Sequence, residues 1–188
     1  MFSRFLHLFS PLAVQQRWLI FFSVVFFWSA AGFGHENENS TFFHQSFNDM
    51  QEESEIAQEN NQNSILVMFS DKDCPWCEKM KQTVFIEQTV KQYYQKHFRI
   101  IQIDVKGDAM MNDFTGKELA EKEFAFKQHR VRATPVFIFF DLDGNPVKRY
   151  TGTTRNADEF LLLGQYVVDK KYQSISFSKY KRQNTAVK

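Results

Sequence analysis

The chain has 188 residues, of which 43% are hydrophobic and 24% charged, a size that suits one domain of ordinary length with a targeting segment or a tail. Its formal net charge of +1 gives no electrostatic case for binding nucleic acid. With only 2 cysteines, the chain is neither a disulfide-dense scaffold nor a four-cysteine zinc protein.

The N-terminal segment, residues 1–31, has the pattern of a signal peptide. It contains two arginines and no acidic residue, continues as a long apolar run, and ends in small residues such as Ser29 and Ala31. The apolar run is near the lower limit for a membrane-spanning helix, so an uncleaved N-terminal anchor is the alternative. We predict export, with residues 32–41 as a polar linker.

The first half of the folded part should contain a helix, a strand and a second, longer helix. Apolar spacing predicts a helix on the domain edge from Phe42 to Gln58. The continuous apolar run Ile65–Phe69 is typical of a strand buried on both faces. A helix should then start at about Cys74 and run towards His97, with a break near 85–87, where the apolar phase slips.

The second half should complete an α/β domain. The predicted elements are strand 99–105, loop 107–115, helix 117–128, strand 136–140, a hairpin turn at Asp143-Gly144, strand 146–150 and a last helix capped by Asn156. Strands separated by helices should pair in parallel, and the last two should be antiparallel. We therefore predict a central mixed sheet of about four strands flanked by helices, within residues 42–172, followed by a solvated basic C-terminal tail at 173–188.

The motif that carries chemistry is Cys74-Pro75-Trp76-Cys77, which follows a buried strand and opens a helix. The free N–H groups and the dipole of a helix start favour thiolate over thiol, so we expect Cys74 to be the nucleophile. Cys77, one turn further on, should be more buried and act as the resolving thiol. Pro75 should stiffen the turn, and Trp76 should offer an exposed flat surface to partner chains.

Other readings of the two cysteines exist. They could form an inert disulfide, although one closing so short a loop would stabilise the fold little. They could hold a metal, but no histidine lies near them in sequence, which leaves Cu(I), an ion that two thiolates can bind. The strand–helix context favours redox chemistry, with the Cys74–Cys77 disulfide itself as the redox group and no metal or other cofactor.

Thr134-Pro135 places a proline directly before a buried strand. A cis bond in a tight approach and a simple strand-start proline both fit this pattern, and the residues alone do not choose between them. Other polar residues look structural: we place Glu52 and Glu53 on a solvated helix face and His129 on the surface near a helix end.

Together with Phe139–Gly144, these motifs resemble the thioredoxin superfamily, in particular exported thioredoxin-like proteins of bacteria of the SoxW and thioredoxin-2 type. The resemblance implies a thioredoxin-like fold, here with an extra N-terminal helix. It also implies a cis peptide at Thr134-Pro135 packed against the Cys74–Cys77 pair, and a Thr134 backbone that binds the substrate chain as an added strand. The sequence departs from the family at Met68, where classical thioredoxins carry a buried aspartate.

The resulting expectation is a periplasmic thiol-disulfide oxidoreductase that exchanges disulfides with protein partners, with anchoring to the inner membrane as the alternative location. A reductase role would need an electron donor, such as a membrane thiol transporter, and an oxidase role would need a re-oxidising partner. The membrane would be contacted only through an uncleaved N-terminal segment. The alternative function is a non-catalytic thioredoxin-fold module that holds Cu(I) or a partner protein.

Overall fold

A computed structural model describes residues 41–185. The predicted signal peptide or anchor and most of the polar linker therefore lie outside the described residues. Between residues 41 and 185, no helix is both long and apolar enough to cross a membrane.

The described part alternates helices and strands, as predicted. The helices are α1 (Met50–Glu59), α2 (Pro75–Thr83), α3 (Gln88–His97), α4 (Glu121–Glu123, continued by a π-helical turn at Phe124–Gln128), α5 (Ala157–Val168) and α6 (Phe177–Thr185), with a 3-10 turn at Lys171–Gln173. The strands are β1 (Ser64–Ser70), β2 (Phe98–Asp104), β3 (Met110–Asn112), β4 (Glu118–Ala120), β5 (Val136–Phe140) and β6 (Pro146–Thr151).

Four strands form the central mixed sheet, in the order β2-β1-β5-β6, which confirms the predicted fold class. β1 pairs with β2 in parallel, and β5 pairs with β6 antiparallel. The expectation that β5 would also be parallel is wrong, because β5 runs antiparallel to β1 with Val136 opposite Phe69. The segment between β2 and β5 forms a small hairpin and α4 without returning to the far end of the sheet, so β5 starts where β1 ends.

The two faces of the sheet bury separate cores because side chains alternate along each strand. The cysteine face is packed by α2, α3, α5 and α6, and its core includes Met68, Cys77, Tyr94 and Phe160. The hairpin face is packed by α1, the β3–β4 hairpin and α4, and its core includes Val67 and Phe124.

The first helix begins later than predicted. Asp49 caps α1 by accepting hydrogen bonds from the backbone N–H groups of Gln51 and Glu52, so the helix starts at Met50 and not at Phe42. Residues before Asp49 instead lie along the domain: Phe42 stacks on Phe85 with ring centroids 4.2 Å apart. His44 N–H donates to the Ile100 carbonyl at 2.9 Å, and the Ile100 N–H donates to His44 Nδ1 at 2.9 Å.

The predicted loop 107–115 and helix 117–128 are both partly wrong. The loop contains β3, and the predicted helix opens with β4 before turning into α4. Met111 and Leu119 face each other across this hairpin and are buried. Each strand buries a single apolar side chain within three residues, which is too short a stretch for an alternating pattern to be read.

Two predicted helix features are confirmed, and the predicted tail is not. The long helix breaks between Thr83 and Gln88, and Asn156 caps α5 by accepting from the Glu159 N–H at 3.0 Å. Beyond residue 172, however, α6 packs on α5 through Phe177 and Tyr180. The basic residues around these two aromatics made the segment resemble a solvated tail.

Candidate active site

Cys74 is the N-cap residue of α2. Its backbone is extended, with φ of -93° and ψ of 100°, and its sulfur accepts a hydrogen bond from the Cys77 N–H at 3.1 Å. The two cysteines form a disulfide with their Cα atoms 5.2 Å apart. As predicted, the pair sits at the start of a helix, and Cys77, at 0% exposure, is more buried than Cys74, at 6%.

This position lets the backbone stabilise a thiolate when the disulfide is reduced. The first N–H groups of a helix have no partner within the helix, and the dipole adds positive potential at this end. The Cys77 N–H already points at Cys74 Sγ, so it would hold a negative sulfur there. Pro75 occupies the first turn, where its missing N–H costs no helical hydrogen bond.

The loop before Cys74 is tied to the loop after β2. The Cys74 N–H donates to the Asp71 carbonyl at 3.1 Å, and the Asp73 N–H donates to Asp71 Oδ1 at 3.1 Å. Asp71 also pairs with Lys106, with Oδ2 and Nζ 2.5 Å apart. The hydrogen bond from Lys106 lowers the pKa of the Asp71 carboxyl, so the loop stays anchored by a charged pair at neutral pH.

Thr134 and Pro135 lie at the same end of the sheet as Cys74. The peptide bond between them is cis, as the family resemblance implied. Pro135 is buried directly before β5, and its carbonyl accepts from the Gly152 N–H at 2.9 Å. Since Val136 stands opposite Phe69, near the end of β1, the fold brings the two predicted site segments together. The substrate-binding roles of Thr134 and Pro135 stay predictions.

Trp76 projects from the first turn of α2 and is 56% exposed, which confirms the predicted exposure, while its contact with partners stays a prediction. Lys79 Nζ lies 5.5 Å from the centroid of its ring, which holds the indole against the helix. The indole therefore adds an exposed aromatic surface within the cysteine motif.

The floor of the site is apolar. Met68 and Met80 are both buried, and Met68 takes the place where the resemblance puts an aspartate. The Thr154 hydroxyl lies 3.9 Å from Met80 Sδ, and at the end of β1 Gln102 Nε2 donates to Ser70 Oγ at 2.8 Å. Ser70, Gln102 and Glu78 line a cavity of about 410 Å³.

A second cavity, of about 570 Å³, was not predicted from the sequence. Asp71, Lys106, Phe126, Arg132 and Thr134 are among its lining residues. The signal for it in the sequence is the pair Arg130 and Arg132, shortly before Thr134. This pair does not reveal that α4 and the loop after β2 lie beside it.

Two polar residues are placed differently from the prediction. Glu53 is buried and forms an ion pair with Arg99, because α1 turns that face onto β2. The His129 ring packs among Phe69, Phe124 and Phe140, at centroid distances of 5.9, 4.5 and 5.0 Å. Within residues 41–185, no group of three or more His, Cys, Asp or Glu side chains could hold a metal ion.

A family model described as "Thioredoxin-like domain" matches residues 50–167, which is more than half of the chain and includes the cysteine motif and Pro135. The chain belongs to this thioredoxin-like family. No curated protein sequence matches the chain. The narrower SoxW and thioredoxin-2 resemblance stays a prediction.

Solved structures share the fold at low sequence identity. A thioredoxin-fold protein from Helicobacter pylori has a TM-score of 0.56 at 20% identity, with 68% of this chain and 88% of that chain covered. A structure titled "DsbH Oxidoreductase" has a TM-score of 0.52 at 17% identity, covering 76% and 95%. A putative disulphide-isomerase from Bacteroides thetaiotaomicron has a TM-score of 0.50 at 23% identity, covering 71% and 93%.

Proposed function

We propose that this protein is an exported thiol-disulfide oxidoreductase that exchanges disulfides with partner proteins through Cys74 and Cys77. The observation that carries the proposal is the hydrogen bond from the Cys77 N–H to Cys74 Sγ at the start of α2. The family match adds support, as do similar folds in structures titled as an oxidoreductase and a putative disulphide-isomerase.

The reductive reaction has two exchange steps. The Cys74 thiolate attacks one sulfur of a partner disulfide, a Cys74–partner S–S bond forms, and the other partner sulfur leaves as a thiolate that takes up a proton. The Cys77 thiolate then attacks Cys74 Sγ and releases the second partner sulfur. The partner gains two electrons and two protons, and the protein ends with the Cys74–Cys77 disulfide that the structure contains.

Deprotonation of Cys77 is the step in which this chain should differ from a classical thioredoxin. Met68 offers no carboxylate to accept the proton. The proton must pass to water or to another group, and the cavity lined by Ser70, Glu78 and Gln102 supplies polar atoms beside α2. We therefore expect resolution by Cys77 to be slower than attack by Cys74.

The sequence pattern of residues 1–31 supports action in the periplasm, either free after cleavage or anchored to the inner membrane. In that oxidising compartment a reductase must be recharged by a dithiol donor, for which a membrane thiol transporter is the chemical class that fits. The reverse direction, oxidation of partner dithiols, would instead need a re-oxidising partner.

Trapping of partners tests the function directly. In the Cys77→Ser variant, attack by Cys74 should proceed while resolution is blocked, so Cys74–partner mixed disulfides should accumulate. Cys74→Ser is the matched control, and it should trap nothing. The wild type should reduce insulin with dithiothreitol as the reductant. An absence of turnover and of trapped partners, combined with binding of one Cu(I) per chain, would contradict the proposal and support the non-catalytic binding module.

A further inference from the structure

The 570 Å³ cavity lies beside both segments that the proposed chemistry uses. Asp71, three residues before Cys74, lines one side, and Thr134, next to Pro135, lines another. A partner chain that reaches Cys74 along the Thr134 backbone would therefore pass this cavity. The cavity is thus placed to contact residues next to the partner's reactive cysteine.

The charged rim of the cavity has a positive surplus. Its basic lining residues are Lys106, Lys122, Lys127 and Arg132, and its acidic ones are Asp71 and Glu123. Each lysine already pairs with a carboxylate: Lys106 with Asp71, Lys127 with Glu123, and Lys122 with Asp108. Arg132 is therefore the cation of this rim that has no carboxylate at ion-pair distance among the described residues.

Arg132 is held where a ligand can reach it. Its guanidinium carbon lies 5.8 Å from the ring centroid of Phe126, and Phe126 is 56% exposed. Arg132 forms no ion pair with any carboxylate in the described part of the chain. An aromatic ring takes none of the N–H groups of a neighbouring guanidinium, so these groups stay available to bind a carboxylate with two parallel hydrogen bonds.

Apolar surface lies next to this charge. Val105 and Val131 line the cavity together with Phe126. A carboxylate alone would therefore leave part of the cavity unfilled, whereas an acidic residue beside an apolar one would use both surfaces.

We propose that this cavity selects partner proteins whose target cysteine is flanked by an acidic and an apolar residue. The partner carboxylate binds Arg132, and the apolar side chain packs on Phe126. The proposal rests on the proposed function, because it concerns the partners that Cys74 attacks. It assigns Arg132 to substrate choice and not to the chemistry.

Three symmetric peptide disulfides test the preference, built from Leu-Glu-Cys-Glu-Leu, Leu-Gln-Cys-Gln-Leu and Leu-Lys-Cys-Lys-Leu. The pre-reduced full chain is mixed with each one, and its rate constant is divided by that of dithiothreitol with the same peptide, which removes the intrinsic reactivity of each disulfide. Because one exposed charge contact contributes little, we expect the acidic peptide to react about fivefold faster than the lysine peptide at low salt, with the ratio falling at high salt.

Substitutions of Arg132 test whether this residue causes the preference for the acidic peptide. Arg132→Glu should invert the ratio, Arg132→Gln should reduce it to about one, and Arg132→Lys should keep part of it, since lysine retains the charge without the planar fork. Lys96→Glu is the matched control. Lys96 lies near the end of α3, just before β2, and the 7 residues of β2 span about 20 Å, so Lys96 is at the end of the sheet far from the site. This variant should leave the ratio unchanged.

The neutral substrate hydroxyethyl disulfide separates the two proposals. It should react equally with the wild type and all four variants. If it and all three peptides fail to react with the wild type, the proposed function is contradicted. If the peptides react at equal corrected rates, or the lysine peptide is faster, the acidic preference is wrong while the oxidoreductase function stands. The acidic preference is also wrong if Arg132→Gln, with unchanged thermal unfolding, keeps the wild-type ratio of acidic-peptide to lysine-peptide rates.

Discussion

On the cysteine face, Tyr94 stacks on Phe160 with ring centroids 4.4 Å apart, and Phe42 stacks on Phe85 in the same core. On the hairpin face, the aromatic residues share the interior with charged groups. Glu53 and Asp113 are buried there: Glu53 pairs with Arg99, and Asp113 accepts hydrogen bonds from Thr115 and Gln128. The core of the cysteine face is therefore aromatic, and its buried carboxylate, Glu159, pairs with Lys181 at the start of α5, whereas the hairpin face carries ion pairs and buried carboxylates among its aromatic residues.

This difference predicts different responses to pH. Burial of apolar area does not depend on the protonation state of any group, whereas a paired carboxylate stabilises the fold only while it is charged. We expect the free energy contributed by the aromatic core of the cysteine face to be constant from neutral pH into acid. The contribution of the hairpin face should decrease over the same range.

The largest effect should come from Phe160→Ala on the cysteine face. Phe160 is completely buried between Tyr94 and Phe85, and truncating such a side chain leaves a cavity that costs about 4 kcal/mol. Urea unfolding followed by circular dichroism should give the same loss at pH 7 and pH 5. A loss that changed with pH would contradict the comparison. Leu162→Ala, at a half-buried position of the same helix, should cost clearly less.

Glu53→Ala should give the next largest loss. The change leaves the partly buried Arg99 guanidinium with the Gln45 carbonyl as its remaining acceptor among the described residues, and removing one member of a buried ion pair costs about 3 kcal/mol. Glu52→Ala on the exposed side of α1 is the control, with an expected change of about 0.5 kcal/mol. Equal losses in the two variants would show that the Glu53–Arg99 pair does not stabilise the hairpin face.

Asp113→Asn should reveal the pH dependence itself. Burial alone would raise the pKa of Asp113, but hydrogen bonds from Thr115, Gln128 and the Lys117 N–H outweigh it and lower the pKa to about 2. The charged form therefore stabilises the fold above pH 4, and this stability is lost as pH falls towards 2. We expect the variant to lose about 1 to 2 kcal/mol at pH 7, allowing for solvent screening, and almost nothing near pH 2. Parallel stability curves would contradict this.

His129→Phe should give the smallest effect, with the opposite sign. Burial, with Arg149 nearby, lowers the pKa of His129 to about 4, so the folded state resists protonation that the unfolded chain accepts below its ordinary 6.5. Wild-type stability should fall between pH 6.5 and 4, and the phenylalanine variant should lack this decrease. The difference should reach about 1 kcal/mol at pH 4 after screening. Urea unfolding at pH 7, 5.5 and 4 would measure it.

The sequence predicted the parts of the fold in which a pattern extends over many residues. β1 and β5 are continuous apolar runs, and the break after α2 follows a visible change in helical phase. It did not predict β3 and β4, which are only three residues each, or the buried position of Glu53. The partner of Glu53 is Arg99, 46 residues away, and periodicity carries no information about a contact at that distance.

In the candidate site, too, local motifs were visible in the sequence and contacts between distant segments were not. The cysteine motif and Pro135 are local signals that the sequence shows directly. Their meeting at one end of the sheet was implied only by the family resemblance, because a parallel β5 would have placed Pro135 at the other end. Lys106, Phe126 and Arg132 come from three separate segments that meet because the chain reverses before β5. Parallel pairing of β5, as predicted from the alternation of strands and helices, would have placed Arg132 at the other end of the sheet.

The contact between His44 and Ile100 affects how the protein behaves at high concentration. β2 is the outer strand of the sheet, and an outer strand with free amide groups can template fibril growth by other chains. At Ile100 both backbone groups are already occupied by His44. Burial and nearby Arg99 lower the pKa of His44, which keeps its Nδ1 an acceptor at neutral pH. Strong acid would protonate that nitrogen and release the Ile100 N–H. This part of β2 could then pair with a strand of another chain.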